Sequence, residues 1–365
     1  MKSSASRRTG FVCDDSYFDH RTDEGLGPWV APGPAFETPE GKKRIRDLVV
    51  ASGLVAELVT VPPSPLSRDD TLRFHTVAYL DSIERMSAGE GGDAGEVTWF
   101  GPGSYEIALL SAGGTYAAVR AVVDGEVDNA YALVRPPGHH AERDLGRGYC
   151  MLANIALAIL KARAELGVGR VAVVDWDVHH GNGTEQAFYD DPETLTISLH
   201  QDRLYPRDTG FVEHQGEGPG RMANVNLPLP AGSSRGAYLD AFDRVVEPLV
   251  RRFRPELIVV ACGFDAGSLD PLGRMMLSAG DFGELTRRVR VLAEELCGGR
   301  LVLSHEGGYS ELHVPFCGTR VLEELSGAST GIDDPFAWVE DHGGQELQPH
   351  QAAAVQAVVD AHRIG

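Results

Sequence analysis

The sequence predicts an α/β fold built around a parallel sheet. Two observations predict it. Short runs rich in Val, Ile, Leu and Ala alternate with stretches of helical period, and each apolar run stops in polar, titratable or glycine-rich residues. The chain has 365 residues, 42% hydrophobic and 24% charged, enough for a sizeable core in one unit.

Helical period is clear in residues 103–125, GSYEIALLSAGGTYAAVRAVVDG, and in residues 281–299, DFGELTRRVRVLAEELCGG. The glycine-rich stretch 87–104, with Pro102, reads as a surface loop. Residues 346–365, ELQPHQAAAVQAVVDAHRIG, read as a closing helix without chemistry. There is no internal repeat. No apolar run approaches the roughly 20 residues of a membrane span. Near the N-terminus, SSASRRTGF is followed by acidic VCDDSYFDHRTDEG rather than an apolar export segment, so the expected location is cytoplasmic. Five cysteines without a C-x-x-C argue against a disulfide scaffold or a zinc knuckle. A net charge of −20 argues against nucleic acid and acidic membrane surfaces as partners; it serves solubility or draws in cationic substrates.

The chemistry sits where the strands end. YALV runs into RPPGHHA, VAVV into DWDVHHGNG, LTISL into HQ, LIVVACG into FDA, and LVLS into HEGGY. Ligands of open parallel sheets bind beyond the carboxyl ends of the strands, so these five endings can converge on one site. If the strand continues past Val174, period two places Asp175, Asp177 and His179 on one side. Asp177 and His179 offer a carboxylate and an imidazole, and Asp265 is the candidate third ligand from another strand end. Three protein ligands leave a divalent metal a position for water, with zinc favoured and Fe(II), Co(II) or Mn(II) also admitted. A lone Asp or His is ordinarily a cap or a turn former. Several carboxylates buried together, however, cost several kcal/mol per ion unless a cation compensates them.

Two further segments supply proton chemistry. Pro136, Pro137 and Gly138 force an irregular turn that can aim both His139 and His140 into one pocket, as base and acid. Gly307 and Gly308 permit a tight path, and Tyr309 beyond them can donate a hydrogen bond to a developing oxyanion.

Taken in order, RPPGHHA, GYCMLANIALA, VVDWDVHHGNGT, ISLHQ, GFDAGSLDPLG and EGGY resemble the histone deacetylase superfamily, and within it the class II type and its bacterial amidohydrolases. The resemblance implies an arginase/deacetylase fold: one domain over 1–365 with a flexible N-terminus at 1–10, and roughly eight parallel strands between helices with the site at their C-terminal ends. It implies zinc-dependent removal of acyl groups from amines, on linear amides rather than peptide bonds, with one Zn2+ held by Asp177, His179 and Asp265. His139 is then paired with Asp175, His140 with Asn182, and Tyr309 is the catalytic tyrosine. Because Asn182 carries no charge, His140 is expected to be less basic than an Asp-paired histidine. The family's structural K+ maps to Asp175, Asp177, His179, Ser198 and Leu199, with a second site after Phe188. The substrate tunnel maps to Pro137, Gly148, Tyr149, Tyr205, Leu272 and Gly307. Tyr149 and Tyr205 stand where relatives have phenylalanine, and Leu272 stands where the polyamine-selective relative has an acidic gatekeeper. Loop 91–104 lacks the aspartate that class I enzymes use to grip a peptide backbone.

The leading expectation is a deacylase of acyl-lysine or a similar N-acylated amine. An acetylpolyamine or secondary-metabolite amidohydrolase is the alternative within the same chemistry. A catalytically silent acyl-amine binder and a binuclear manganese hydrolase are rivals outside it. Loops 14–37 and 87–104 could shape the entrance or contact a second subunit, which leaves a homo-oligomer open.

Overall fold

A computed structural model describes residues 7–22 and 36–364. Eight strands form one sheet: β1 (Thr9–Val12), β2 (Leu58–Thr60), β3 (Asn129–Ala132), β4 (Val171–Asp175), β5 (Thr194–Gln201), β6 (Asn224–Leu229), β7 (Leu257–Cys262) and β8 (Leu301–His305). Their order is β6-β5-β4-β7-β8-β3-β1-β2, and every pairing is parallel. Helices α1 (Pro39–Ala51), α2 (Ser104–Val123), α3 (Asn154–Leu166), α4 (Asn182–Phe188), α5 (Ala279–Cys297), α6 (Val314–Ser326) and α7 (Pro349–Ala361) include those that cover the sheet.

The central strands are apolar throughout because both their faces are covered. In β4, Val171 and Val173 enter the core shared with α2 and α3, while Ala172 and Val174 enter the core shared with α1, α5, α6 and α7. In β7, Leu257, Val259 and Ala261 go one way, and Ile258, Val260 and Cys262 the other. The five strands expected from the sequence are present. Three others lacked a clear signal: β1 is four residues long, β2 is a three-residue edge strand, and β6 carries Pro228, which its edge position tolerates.

Strand order places the site. From β4 the chain moves to β5 on one side, and from β7 it moves to β8 on the other. The crevice between β4 and β7 is therefore a topological switch point, where the exits of the two strands separate and leave room for a ligand.

Several expectations need correction. Residues 1–6 and 23–35 lie outside the described residues, so the flexible terminus and loop 14–37 are described only in part. Thr9 and Gly10, expected to be flexible, form β1 between β2 and β3, and Arg7 Nε donates to Leu325 O at 2.8 Å. Stretch 87–104 is not simply a loop: residues 92–93 pair with 99–100, and 95–96 pair with 146–147 beside the tunnel. Among the described residues one helix, α2, is long and apolar enough to cross a membrane, with a mean hydropathy of 1.2. Its 20 residues are a core helix, with 67% of the window buried inside the protein. The five cysteines are all free.

A buried ion network anchors the turn that carries the histidines. Arg135 is fully buried; its Nε lies 2.9 Å from Glu37 Oε1, its Nη2 donates to Glu37 Oε2 at 2.7 Å, and its Nη1 donates to Tyr17 O and His20 O. Lys42 Nζ donates to Glu37 Oε1 at 3.1 Å. Burial opposes charge on Glu37, but Arg135 and Lys42 outweigh it and hold its carboxyl down at about 2. Glu37→Gln, which leaves two buried cations unpaired, is expected to lower unfolding stability at neutral pH by about 3–5 kcal/mol in urea titrations. Since the folded-state pKa is depressed, the wild-type advantage is full above the ordinary glutamate range and disappears as pH falls through about 2. An unchanged urea midpoint at neutral pH would show that the network does not hold the fold.

Candidate active site

The strand β4 stops at Asp175, not at His179 as period two suggested. Beyond it the chain enters a succession of turns in which each aspartate accepts the backbone N–H two residues on: Asp177 N donates to Asp175 Oδ1 at 3.0 Å and His179 N to Asp177 Oδ1 at 2.9 Å. The side chains still converge, because the turns replace the pleat. From the β7 exit, Asp265 Oδ1 accepts Val178 N–H at 2.8 Å; from the β8 exit, Gly307 N–H donates to Asp177 Oδ2 at 2.8 Å. His179 Nδ1 lies 3.1 Å from both Asp177 Oδ1 and Asp265 Oδ2.

Asp177, His179 and Asp265 bring ligand atoms within 4.8 Å of one another, and all three are buried. Burial and the neighbouring Asp177 push Asp265 up to about 7. Burial disfavours a charged His179, but Asp177 and Asp265 outweigh it and hold the imidazole at about 10. The proton on His179 thus compensates two buried carboxylates, which is what a cation does in a two-oxygen, one-nitrogen donor set; these residues fit a divalent metal. A second group, His139, Cys150 and Glu306, also falls within 4.8 Å. It is the poorer donor set: burial pushes the Cys150 thiol well up, its S–H donates to Gly148 O, and Glu306 Oε2 is engaged by backbone.

The tandem histidines have unlike partners. His139 Nδ1 lies 3.0 Å from Asp175 Oδ2, an acceptor, so Nδ1 carries the hydrogen. His140 Nδ1 lies 2.7 Å from Asn182 Oδ1, whose orientation is fixed because its Nδ2 donates to His140 O and to Glu142 Oε1. Both rings therefore keep Nε2 for proton transfer, and their centroids are 3.9 Å apart. Burial opposes charge on His139, but Asp177 and Asp175 hold it up at about 10; burial, reinforced by His139 and His179, pushes His140 well down. The sequence missed Glu306: its Oε2 accepts Gly138 N–H at 2.7 Å and His139 N–H at 3.1 Å, so the residue before GGY fastens the histidine turn. Its signal was adjacency to that motif.

A cavity of about 200 Å3 leads to these groups, lined by Val97, His140, Gly148, Tyr149, His179, Leu204, Tyr205, Leu272 and Tyr309. Tyr205 meets His140 edge-on at 5.1 Å, and Tyr149 lies 5.9 Å from Tyr309 between ring centroids. Tyr149 is held at φ +68, with its N–H on Val97 O at 3.0 Å. Val97 and Leu204 had no sequence signal, being single loop residues. Pro137 and Gly307, expected in the tunnel wall, are not there: Pro137 is buried in the turn, and Gly307 packs against the ligand carboxylates. Of the five residues expected around the first potassium, Asp175 and Ser198 are register neighbours on β4 and β5 and line a separate cavity of about 10 Å3, whereas Asp177, His179 and Leu199 do not line it.

Residues 36–325 match the histone deacetylase domain. The chain is 49% identical to a histone deacetylase-like amidohydrolase of Pseudomonas aeruginosa over 339 residues, covering 91% of this chain and 89% of that one. It is 36% identical to histone deacetylase 8 of Arabidopsis thaliana over 334 residues, covering 89% and 87%. Among solved structures it is similar to the HD domain of HDA15, at 28% identity with a TM-score of 0.86, covering 98% of this chain and 95% of that one.

A Cβ at Gly307 would collide with Asp265 Oδ2 and Asp177 Oδ2. Gly307→Ala is expected to weaken divalent-metal binding about 10- to 100-fold in competition with a chromophoric chelator, while circular dichroism stays unchanged. Wild-type metal affinity in this variant would sever Gly307 from the candidate ligand cluster.

Proposed function

The chain belongs to the histone deacetylase family, and on that premise we propose that it is a zinc-dependent amidohydrolase that removes acetyl or related acyl groups from acyl-lysine or a similar N-acylated amine. The observation that carries this reading is a convergence around one cavity: a buried two-carboxylate, one-imidazole cluster, an imidazole pair with unlike partners, and a phenol. Asp177, His179 and Asp265 would hold the ion. Bound there, zinc supplies a Lewis acid that polarises the amide carbonyl and makes water a stronger acid.

The chain's own residues do the rest. Tyr149 and Tyr205 hold the acylated stem between aromatic walls, and Tyr205 keeps bulk water from His140. His139 and His140, each with Nδ1–H fixed, present Nε2; the pair takes up the proton of the attacking water and returns it to the amine nitrogen as the C–N bond breaks. Carboxylate and free amine leave. Tyr309 donates its hydroxyl to the oxyanion that forms on the acyl oxygen. Leu272 gives the rim an apolar side chain where a polyamine would need an acid, which favours acyl-lysine-like stems. The reading extends to a structural potassium ion in the small cavity beside Asp175 and Ser198, supported by an oxygen-rich lining in which Asn226 Oδ1 is buried without a partner.

A fluorogenic acetyl-lysine substrate, assayed with and without chelator, tests the proposal. Chelator-sensitive turnover is expected, and its absence on every acyl amine tried would falsify the reading in favour of a silent binder. Tyr309→Phe is expected to keep its zinc and lose turnover about 100-fold, whereas His179→Ala loses both. Asn182→Asp places an anion on His140 Nδ1 and raises the pKa of that ring. A base must be unprotonated to act, so the acidic limb of the kcat/KM profile is expected to move up by about one pH unit. A limb that stays in place would remove His140 from the proton-accepting role.

A further inference from the structure

Asp270, in the loop between β7 and α5, is buried, and its carboxylate is engaged by the backbone of two separate segments. Oδ2 accepts Tyr309 N–H at 2.7 Å and Ser310 N–H at 3.3 Å. Oδ1 accepts Leu272 N–H at 2.9 Å and Gly273 N–H at 3.4 Å. Among the described residues no lysine or arginine forms an ion pair with it, so these N–H groups are what hold it.

The placement matters because of what precedes Tyr309. The strand β8 ends at His305, and Gly308 adopts φ +127, a backbone conformation that favours glycine. Gly307 is tied to the ligand carboxylate of Asp177 through its N–H and to Phe264 N through its carbonyl. Past the glycines, the N–H of Tyr309 goes to Asp270. The other oxygen of the same carboxylate fixes the turn bearing Leu272, which lines the same cavity as Tyr309.

We infer that Asp270 is a positioning residue: it locks the backbone of Tyr309 to the Leu272 rim, so that the phenol is held where the oxyanion forms. This rests on the reading of Tyr309 as the oxyanion donor. An anionic acceptor on several N–H groups is a stiff anchor, and a donor misplaced by an ångström costs on the order of 100-fold in rate. An amide at this position has one acceptor oxygen and would leave one of the two segments facing a donor.

The test is a double-mutant cycle on zinc-loaded protein with the fluorogenic acetyl-lysine substrate. Asp270→Asn is expected to lower kcat about 10- to 100-fold in the wild-type background with zinc content unchanged. In the Tyr309→Phe background the same substitution is expected to cost less than about threefold, because the hydroxyl it positions is already gone. Equal losses in both backgrounds, or no loss in the first, overturn the inference alone. A fully active Tyr309→Phe overturns the oxyanion role and this inference with it. Should Asp270→Asn not fold, Asp270→Glu, which keeps the charge but displaces the oxygens by a methylene, carries the same cycle with the same outcomes.

Discussion

Negative charge buried at one end of a parallel sheet is the constraint on which the rest of this structure depends. Asp175, Asp177, Asp265, Asp270 and Glu306 are all buried in or beside the crevice formed by the exits of β3, β4, β7 and β8. A carboxylate removed from water needs a cation or several hydrogen bonds; four of these have one or the other, whereas Glu306 Oε1 is buried without a partner and burial pushes that carboxyl up to about 7. Asp175 faces His139, Asp177 and Asp265 face His179, Asp270 takes four N–H groups, and Glu306 takes two. The compensating groups are the ones to which the proposed function assigns the chemistry. For the four aspartates the solvation requirement and the site geometry are therefore satisfied by the same contacts.

The sheet order makes this possible. Only at a switch point do neighbouring strand exits diverge, leaving a crevice into which aspartates from two strands can turn without an intervening connection. The tightness of the crevice explains its glycines. A side chain at Gly263 would strike Asp177, one at Gly181 would strike Asp175, and one at Gly148 would strike His140. Each of these backbones approaches a functional side chain closely, so the room for a substrate lies along the tunnel and not behind the ligands.

The sequence makes the fold class legible because parallel central strands buried on both faces read as unbroken apolar runs. It also makes the candidate ligands, the histidine pair and Tyr309 legible as a set, because titratable residues clustered at strand ends are rare without a reason. It fails where geometry depends on turns. Period two brought Asp175, Asp177 and His179 together for the wrong reason, since the pleat ends at Asp175 and side-chain acceptance of N–H groups takes over. The walls at Val97 and Leu204 were invisible because a single loop residue has no pattern. Glu306 and Asp270 were passed over because their role is to accept backbone hydrogens, and any backbone offers those.

The contrast between the two histidines has its origin in the same electrostatics. Asp177 is the largest single attraction holding charge on His139, with Asp175 and Glu306 beside it and burial opposing all three. A cation held by Asp177 and Asp265 would offset the first attraction and leave Asp175 and Glu306 against the cost of burial, making His139 less basic. His140 has no carboxylate on its ring, only the amide oxygen of Asn182, and burial together with its charged neighbours already keeps it neutral. What separates the two rings is the identity of one partner each, an aspartate at 175 and an asparagine at 182, set on the exit of β4 and the first turn of α4 by the same DWDVHHGN segment.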